Sequence, residues 1–269
     1  MTSSNKDESH RTNLTAVVHY FSVSTYARQN EIELVSEIEN FALSHEDDAS
    51  NYLKEENSNV RPNPLHASDD TDVVRKLIRA NPWGILVSDN NGELIASHYP
   101  FLLDDDADEL AVVTHLGRPD DRIHRIGTRE VLLIIQGNHG YISPSWYAPG
   151  AIKAPTWNFS VVHCYGVPEV LDTESNLKVL TRLVEHFESL VDSPIYLEPK
   201  YARTLIDGTV GVRIPISRYV CKEKLSQDKD RLSQDQVVQH LRTPGPYAND
   251  ALADDMVRVL SRAPRSALD

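Results

Sequence analysis

The stretch from Val131 to Tyr165, VLLIIQGNHGYISPSWYAPGAIKAPTWNFSVVHCY, restricts the fold more than any other part of the chain. Val131–Gln136 is a continuous apolar run of the kind found in strands buried on both faces. Asn158–Tyr165 is rich in Val, Phe and Tyr and reads as a second strand. Between them Pro144, Pro149 and Pro155, with interspersed glycines, exclude a helix, so the middle is an irregular loop. That region carries Trp146, Trp157, Tyr141 and Tyr147 beside Ser143, Ser145, Thr156 and Asn158. Flat rings mixed with hydroxyls and an amide suit a planar, polar-edged ligand. A surface loop pinned by aromatic packing fits the same residues.

Around this stretch the pattern is of short strands interrupted by single helices. Ser68 or Asp69 caps a helix over Asp72–Arg79, and Pro82 ends it. Trp83–Ser88 and Glu93–Leu103 form a hairpin through the Asn-Gly turn at Asp89–Gly92. Asp104–Asp108 is an acidic, solvated turn that lacks the longer fixed pattern of a calcium loop. A third strand spans Glu109–His115, and Arg118–Ile126 suits a short helix closed by Gly127. Asp172–Val191 is the clearest helix, with Leu177, Leu180, Leu183, Val184 and Phe187 as its stripe. A shorter helix around Lys200–Asp207 precedes a final strand over Thr209–Cys221. Helices over Ser233–Leu241 and Ala248–Arg262 close the chain, divided by the breaker TPGPY. Strands in hairpin order with isolated helices predict a mainly β fold, an antiparallel barrel with peripheral helices.

Residues 1–59 stand apart as an N-terminal extension. Residues 1–13 are polar and expected to be disordered, Leu14–Ser24 to form a strand and Glu31–Ser44 an amphipathic helix. Two origins stay open: a genuine extension, or translated sequence ahead of a start at Val60, since a GTG start codon inside a longer reading frame is written as valine. The organisation expected is therefore the 1–59 extension, a domain over 60–243, and a C-terminal helix and tail over 244–269.

The formal net charge of −13 is shared between both parts. Residues 1–59 hold 4 Lys+Arg and 11 Asp+Glu, which leaves 23 and 29 for the remainder. Neither balance gives the basic footprint that replaces phosphate counterions on DNA, which argues against direct DNA binding. No apolar run reaches membrane-spanning length and no secretory signal is visible, so a cytoplasmic protein is expected. Cys164 and Cys221 lack metal-ligand spacing and read as buried, reduced thiols.

Several spaced motifs carry a resemblance. YISPSWY followed by PTWN, SHYP at Ser97–Pro100, THLGRPDD at Thr114–Asp121 and KLSQ at Lys224–Gln227 resemble the PaiB family, described as FMN-binding negative transcriptional regulators. The resemblance runs from about Val60 to Leu241. It implies an FMN-binding split β-barrel and a homodimer with the cofactor near the subunit interface. Some PaiB-like proteins are haem-dependent enzymes, notably piperazate synthases that close a nitrogen–nitrogen bond, so haem b is the alternative cofactor. Two function classes follow: a cofactor-binding regulatory protein, or a flavin or haem enzyme.

The cofactor-pocket candidates are His98, His115, Arg118, Ser143, Trp146, Tyr147, Thr156, Trp157, Asn158, Lys224 and Gln227. In HLGR, a strand feeds a helix, Gly117 allows close backbone approach, and Arg118 offers a fork of donors to an anion. Lys224 suits a phosphate, although Asp228 stands where the family carries Asn, which removes donors and adds negative charge. If the cofactor is haem, His124 on the short helix after HLGR is the ligand the sequence nominates. No nucleophile elbow, zincin motif, Walker loop or dinucleotide fingerprint is present.

Overall fold

A computed structural model describes residues 63–151 and 154–262 of the chain. The expectations for residues 1–59 and for the Val60 start lie outside those residues.

The first helix, α1 (Thr71–Ala80), is capped by Asp70, whose carboxylate accepts from the Asp72 N–H, one residue beyond the expected caps. Strands β2 (Trp83–Asn90) and β3 (Glu93–Pro100) then form the expected hairpin. Asn91 and Gly92 hold φ of 59° and 92°, the left-handed pair such a turn requires. Together with β1 (Ala67–Ser68), β6 (Val131–Ile142), β7 (Thr156–Gly166) and β10 (Arg218–Lys224), they build a six-stranded sheet in the order β1-β10-β7-β6-β2-β3. A second sheet runs β4-β5-β9-β8, from β4 (Leu102–Leu103), β5 (Ala111–Gly117), β8 (Glu169–Val170) and β9 (Thr209–Pro215). All the pairings are antiparallel.

Two strands read as single in the sequence are each divided between the sheets. The run Glu93–Leu103 breaks at Phe101, which is fully buried and whose N–H donates to the Pro82 carbonyl at 2.6 Å. The run Thr209–Cys221 breaks at Ile216–Ser217, where Ile216 N–H reaches Leu110 O and Ser217 N–H reaches Tyr165 O, both at 2.9 Å. These corners satisfy the backbone as the chain crosses between the sheets, a need that side-chain alternation does not encode. The second corner also fixes Gly166: a Cβ there would lie 2.0 Å from the Pro215 carbonyl oxygen. Two sheets joined by crossing strands, with helices outside, make the split barrel.

The core between the sheets takes Leu86, Leu133, Ile135, Val162 and Cys164 from the larger sheet, Val112, Leu116, Val212 and Ile214 from the smaller, and Val74 and Ile78 from α1. Both cysteines are free and buried, and burial pushes their thiols up to about 12. On the smaller sheet, α3 (Thr173–Glu188) covers Leu102 and Val113 with Val179 and Leu183, and the short helix α4 (Pro199–Leu205) follows it. The buried stripe of α3 runs through Asn176, Val179, Leu180 and Leu183, and Phe187 is exposed. The expected acidic solvated turn is partly an ion network: Asp104 pairs with Arg213 at 2.7 Å and Asp105 with Arg79 at 2.5 Å.

The C-terminal helices α5 (Arg231–Arg242) and α6 (Asp250–Leu260) enclose a second cluster with Ile142, Tyr147 and Leu225. Leu252 and Met256 of α6 are fully buried in it, and Arg258 pairs with the buried Glu223 of β10 at 2.6 Å. The last helix is therefore packed into the same body as the barrel rather than appended to it. Among the described residues no helix is long and apolar enough to cross a membrane.

Candidate functional site

Strand β6 pairs with β2 on one side and β7 on the other, so its outward residues form the floor of any site on the larger sheet. Its register against β7 slips between Gln136 and His139, where Gly137 and Asn138 accommodate one extra residue. A bulge of this kind re-aims the side chains that follow it. Gln136 pairs with Val161 before the slip, and His139 with Phe159 after it, so both face outward. Tyr141 then pairs with Trp157 on the same face.

The result is a groove of about 460 Å³. Ile85 and Ile134 form its aliphatic floor, and Trp83, His98, Gln136 and His139 its sides. His98 stacks on Trp83 at 6.3 Å and 23° between planes. Across the groove His139 stacks on Trp157 at 6.2 Å and 28°. Trp83 and Trp157 remain 62% and 54% exposed. Large indoles left this open on a sheet face mark a binding surface more often than a packing site. The volume lies within the range of small-molecule sites.

At the β10 side of the same sheet, Lys224 donates to the Thr156 hydroxyl. Burial pulls the Lys224 ammonium below its usual range; Asp228 opposes that effect, and Lys222 and Lys229 add to it. Lys222 lies 5.9 Å from the Phe159 ring centre. Lys229 pairs with Asp228 at 2.7 Å, and Lys222 and Lys224 stand beside them as cations that could meet an anionic group.

Of the residues nominated from the sequence, His98 lines the groove, Trp157 stacks on the groove residue His139, and Thr156 and Lys224 belong to the basic corner. Ser143 caps the short 3-10 turn Pro144–Trp146 and bonds Ser145 Oγ at 2.8 Å. Trp146 stacks on His240 of α5 at 5.1 Å. His115 and Arg118 lie elsewhere: Arg118 pairs with Asp121 at 3.1 Å and lines a separate cleft with Arg122, Asp207 and Thr209, which shares no residue with the groove. His115 is half-buried on β5 with its Nδ1 unpartnered among the described residues, and burial lowers its pKa.

Three nominations turn inward. Asn158 is fully buried and donates to Ser226 Oγ at 2.9 Å and Met256 Sδ at 3.4 Å. Gln227 clamps its own turn, accepting from Leu225 N–H at 2.6 Å and donating to Glu223 O at 2.5 Å, around Ser226 at φ 65°. Tyr147 is 3% exposed in the second hydrophobic cluster. The KLSQ block is thus held mainly by folding, apart from Lys224.

His124, the residue nominated as a haem ligand, is enclosed between two serines. It is 2% exposed, with Nδ1 2.8 Å from Ser88 Oγ and Nε2 2.8 Å from Ser97 Oγ. Both ring nitrogens are engaged, so none is available to iron in this arrangement. It fastens the short helix α2 (Asp120–Ile123) to the β2–β3 hairpin, beside a Tyr99–Asp120 hydrogen bond of 2.6 Å. Burial holds its pKa down, against the pull of Asp120.

Trp83, Gln136, His139 and Lys222 were not nominated from the sequence. The glycines of GNHG inside an apolar run are the signal for the bulge that exposes His139.

The chain is similar to several known proteins. "Protease synthase and sporulation protein PAI 2" of Bacillus subtilis is 30% identical over 176 residues, covering 64% of this chain and 84% of that protein. An uncharacterized protein of Emericella nidulans is 24% identical over 238 residues, covering 71% and 93%. Among solved structures, the flavocytochrome Anf3 from Azotobacter vinelandii superposes with a TM-score of 0.45 at 17% identity, covering 58% of this chain and 68% of that one. The FAD and haem binding protein from Mycobacterium smegmatis gives 0.47 at 12%, covering 59% and 73%. The family model described as "Putative FMN-binding domain" matches residues 61–218, more than half of the chain, and the chain belongs to that family.

Proposed function

We propose that the protein binds FMN on the outer face of the six-stranded sheet. The flavin ring occupies the groove between Trp83–His98 and His139–Trp157, and the phosphate faces Lys222 and Lys224. The observation that carries this reading is the pair of half-open indoles, each backed by an imidazole, over an aliphatic floor. The residues fit the group: apolar floor and aromatic walls for a planar ring, and a basic corner for a dianion. FMN supplies hydride and single-electron chemistry when bound, and the chain's part is to position the ring and tune its surroundings. Haem b is the weaker reading because His124 is spent on two serines.

The same face supports a homodimer. Trp83 and Leu94 are 62% and 76% exposed on adjoining strands, and Ile85, Val87, Leu132 and Ile134 are only partly buried. A second copy would cover this apolar surface and close the groove. A role in transcription would then run through cofactor-dependent contacts with other proteins, since the net charge disfavours DNA.

The test is a parallel titration with FMN and riboflavin, followed by flavin absorbance and fluorescence, with light scattering for mass. The expected result is FMN uptake, tighter than riboflavin, by a dimer. Absence of flavin uptake by the full chain would overturn the proposal.

A further inference from the structure

Six aromatic rings form an unbroken chain leading away from the groove. His139 contacts Trp157 at 6.2 Å, Trp157 contacts Tyr141 at 6.3 Å, and Tyr141 contacts Tyr247 at 5.4 Å. Tyr247 contacts Trp146 at 6.1 Å, and Trp146 stacks on His240 at 5.1 Å. One end lines the groove and the other is exposed on α5. The rings come from β6, β7, the 3-10 turn, α5 and the α5–α6 connection, so tertiary folding assembles them.

Packing alone does not account for this arrangement. Tyr141, Trp157 and Tyr247 lie outside the second hydrophobic cluster, and Trp157 and Tyr247 stay 54% and 53% exposed. A platform for stacked bases needs parallel, open faces. Here the successive interplanar angles are 28°, 72°, 41°, 67° and 13°. What the central four rings share is redox chemistry: indole and phenol are the aromatic side chains that most readily lose one electron. Transfer between rings at contact distance tolerates edge-on as well as stacked geometry.

We propose that Trp157, Tyr141 and Tyr247 form a one-electron relay between the groove and the α5–α6 surface. The proposal rests on the reading of the groove as a redox-cofactor site. A one-electron oxidant in the groove, an oxygen-centred radical, takes an electron from the Trp157 indole, whose N–H proton passes to solvent. Tyr141 then gives up one electron and its hydroxyl proton, and Trp157 regains an electron and a proton. Tyr247 restores Tyr141 in the same way. At the surface a thiolate or ascorbate-type donor returns one electron to Tyr247, and solvent returns the proton. The net change is one electron moved from the surface donor to the oxidant, with every side chain restored.

Pulse radiolysis of the full, cofactor-free chain with azide radicals tests the relay without any flavin. The expected result is conversion of tryptophanyl into tyrosyl absorbance in a first-order phase independent of protein concentration. The double variant Tyr141→Phe/Tyr247→Phe should lose that phase, and Tyr201→Phe, exposed and off the chain of rings, should keep it. Trp157→Phe, a change on a half-exposed side chain, should lower its amplitude. Persistence of the phase at the parent's rate in the double variant, or a rate that scales with protein concentration, would overturn the relay. Flavin titration separates the two readings. A chain that passes radicals but takes up no FMN overturns the groove, and one that takes up FMN but passes no radicals overturns the relay.

Discussion

Trp157 and Asn158 are neighbours on β7 and belong to one sequence motif, yet they face opposite sides of the sheet. Trp157 is 54% exposed beside the groove, whereas Asn158 is fully buried with its amide bonded to Ser226 and Met256. The same division recurs elsewhere: Lys224 belongs to the basic corner, while Gln227, three residues on, closes its own turn. Residues of one motif can thus be kept for two reasons, ligand contact and internal hydrogen bonding. Whether a polar group's partners lie within the chain tells them apart.

That distinction is most exposed to test at the buried residues. His124→Ala should cost about 3 kcal/mol, because it empties a buried site and strands the Ser88 and Ser97 hydroxyls. Urea unfolding measures the loss, and FMN affinity of the folded variant should be unchanged. Asn158→Ala should cost about 2 kcal/mol by the same reasoning, again without effect on affinity. Trp157→Ala should do the reverse: stability within about 1 kcal/mol of the parent, and FMN affinity about tenfold weaker, or roughly 1.4 kcal/mol. Equal effects of the two neighbouring substitutions on both readouts would erase the contrast.

Acid should destabilise the fold through its buried and half-buried histidines. Burial lowers the pKa of His66, His115, His124 and His163 below 6.5. The unfolded chain therefore takes up protons first as the pH falls. The stability these groups contribute is full above 6.5 and is lost as the pH drops toward their lowered folded values. Melting temperature should fall between about pH 7.5 and 5.5, and the slope should be shallower in His124→Ala. A flat profile for the parent would contradict the neutral, buried assignment. Arg118→Ala should have the smallest combined effect, within about 1 kcal/mol in stability, because the guanidinium is nearly half exposed although Asp121 is mostly covered. Its FMN affinity should also hold, since Arg118 lines the separate cleft.

The parts of the fold readable from the sequence are those set by neighbouring residues. The Asn91-Gly92 turn, the Asp172 cap and the α3 helix all follow from local chemistry. The corners at Phe101 and Ser217 do not, because the partners that satisfy them, Pro82 and Tyr165, are distant in sequence. The site divides similarly. Aromatic richness pointed to Trp157, but His139 reaches the groove only through the bulge at Gly137–Asn138. His124 reads as a candidate ligand because Ser88 and Ser97, 36 and 27 residues away, meet it only in the folded chain.

The most direct measurement is equilibrium FMN titration of the parent, Trp83→Ala and Lys224→Met, with riboflavin in parallel. Trp83 is 62% exposed and lines the groove, so its removal should weaken both ligands with little loss of stability. Lys224→Met should weaken FMN by about tenfold and leave riboflavin unchanged, because only FMN carries the phosphate. Parent-like affinity for FMN in both variants would contradict the assignment of the flavin to this face.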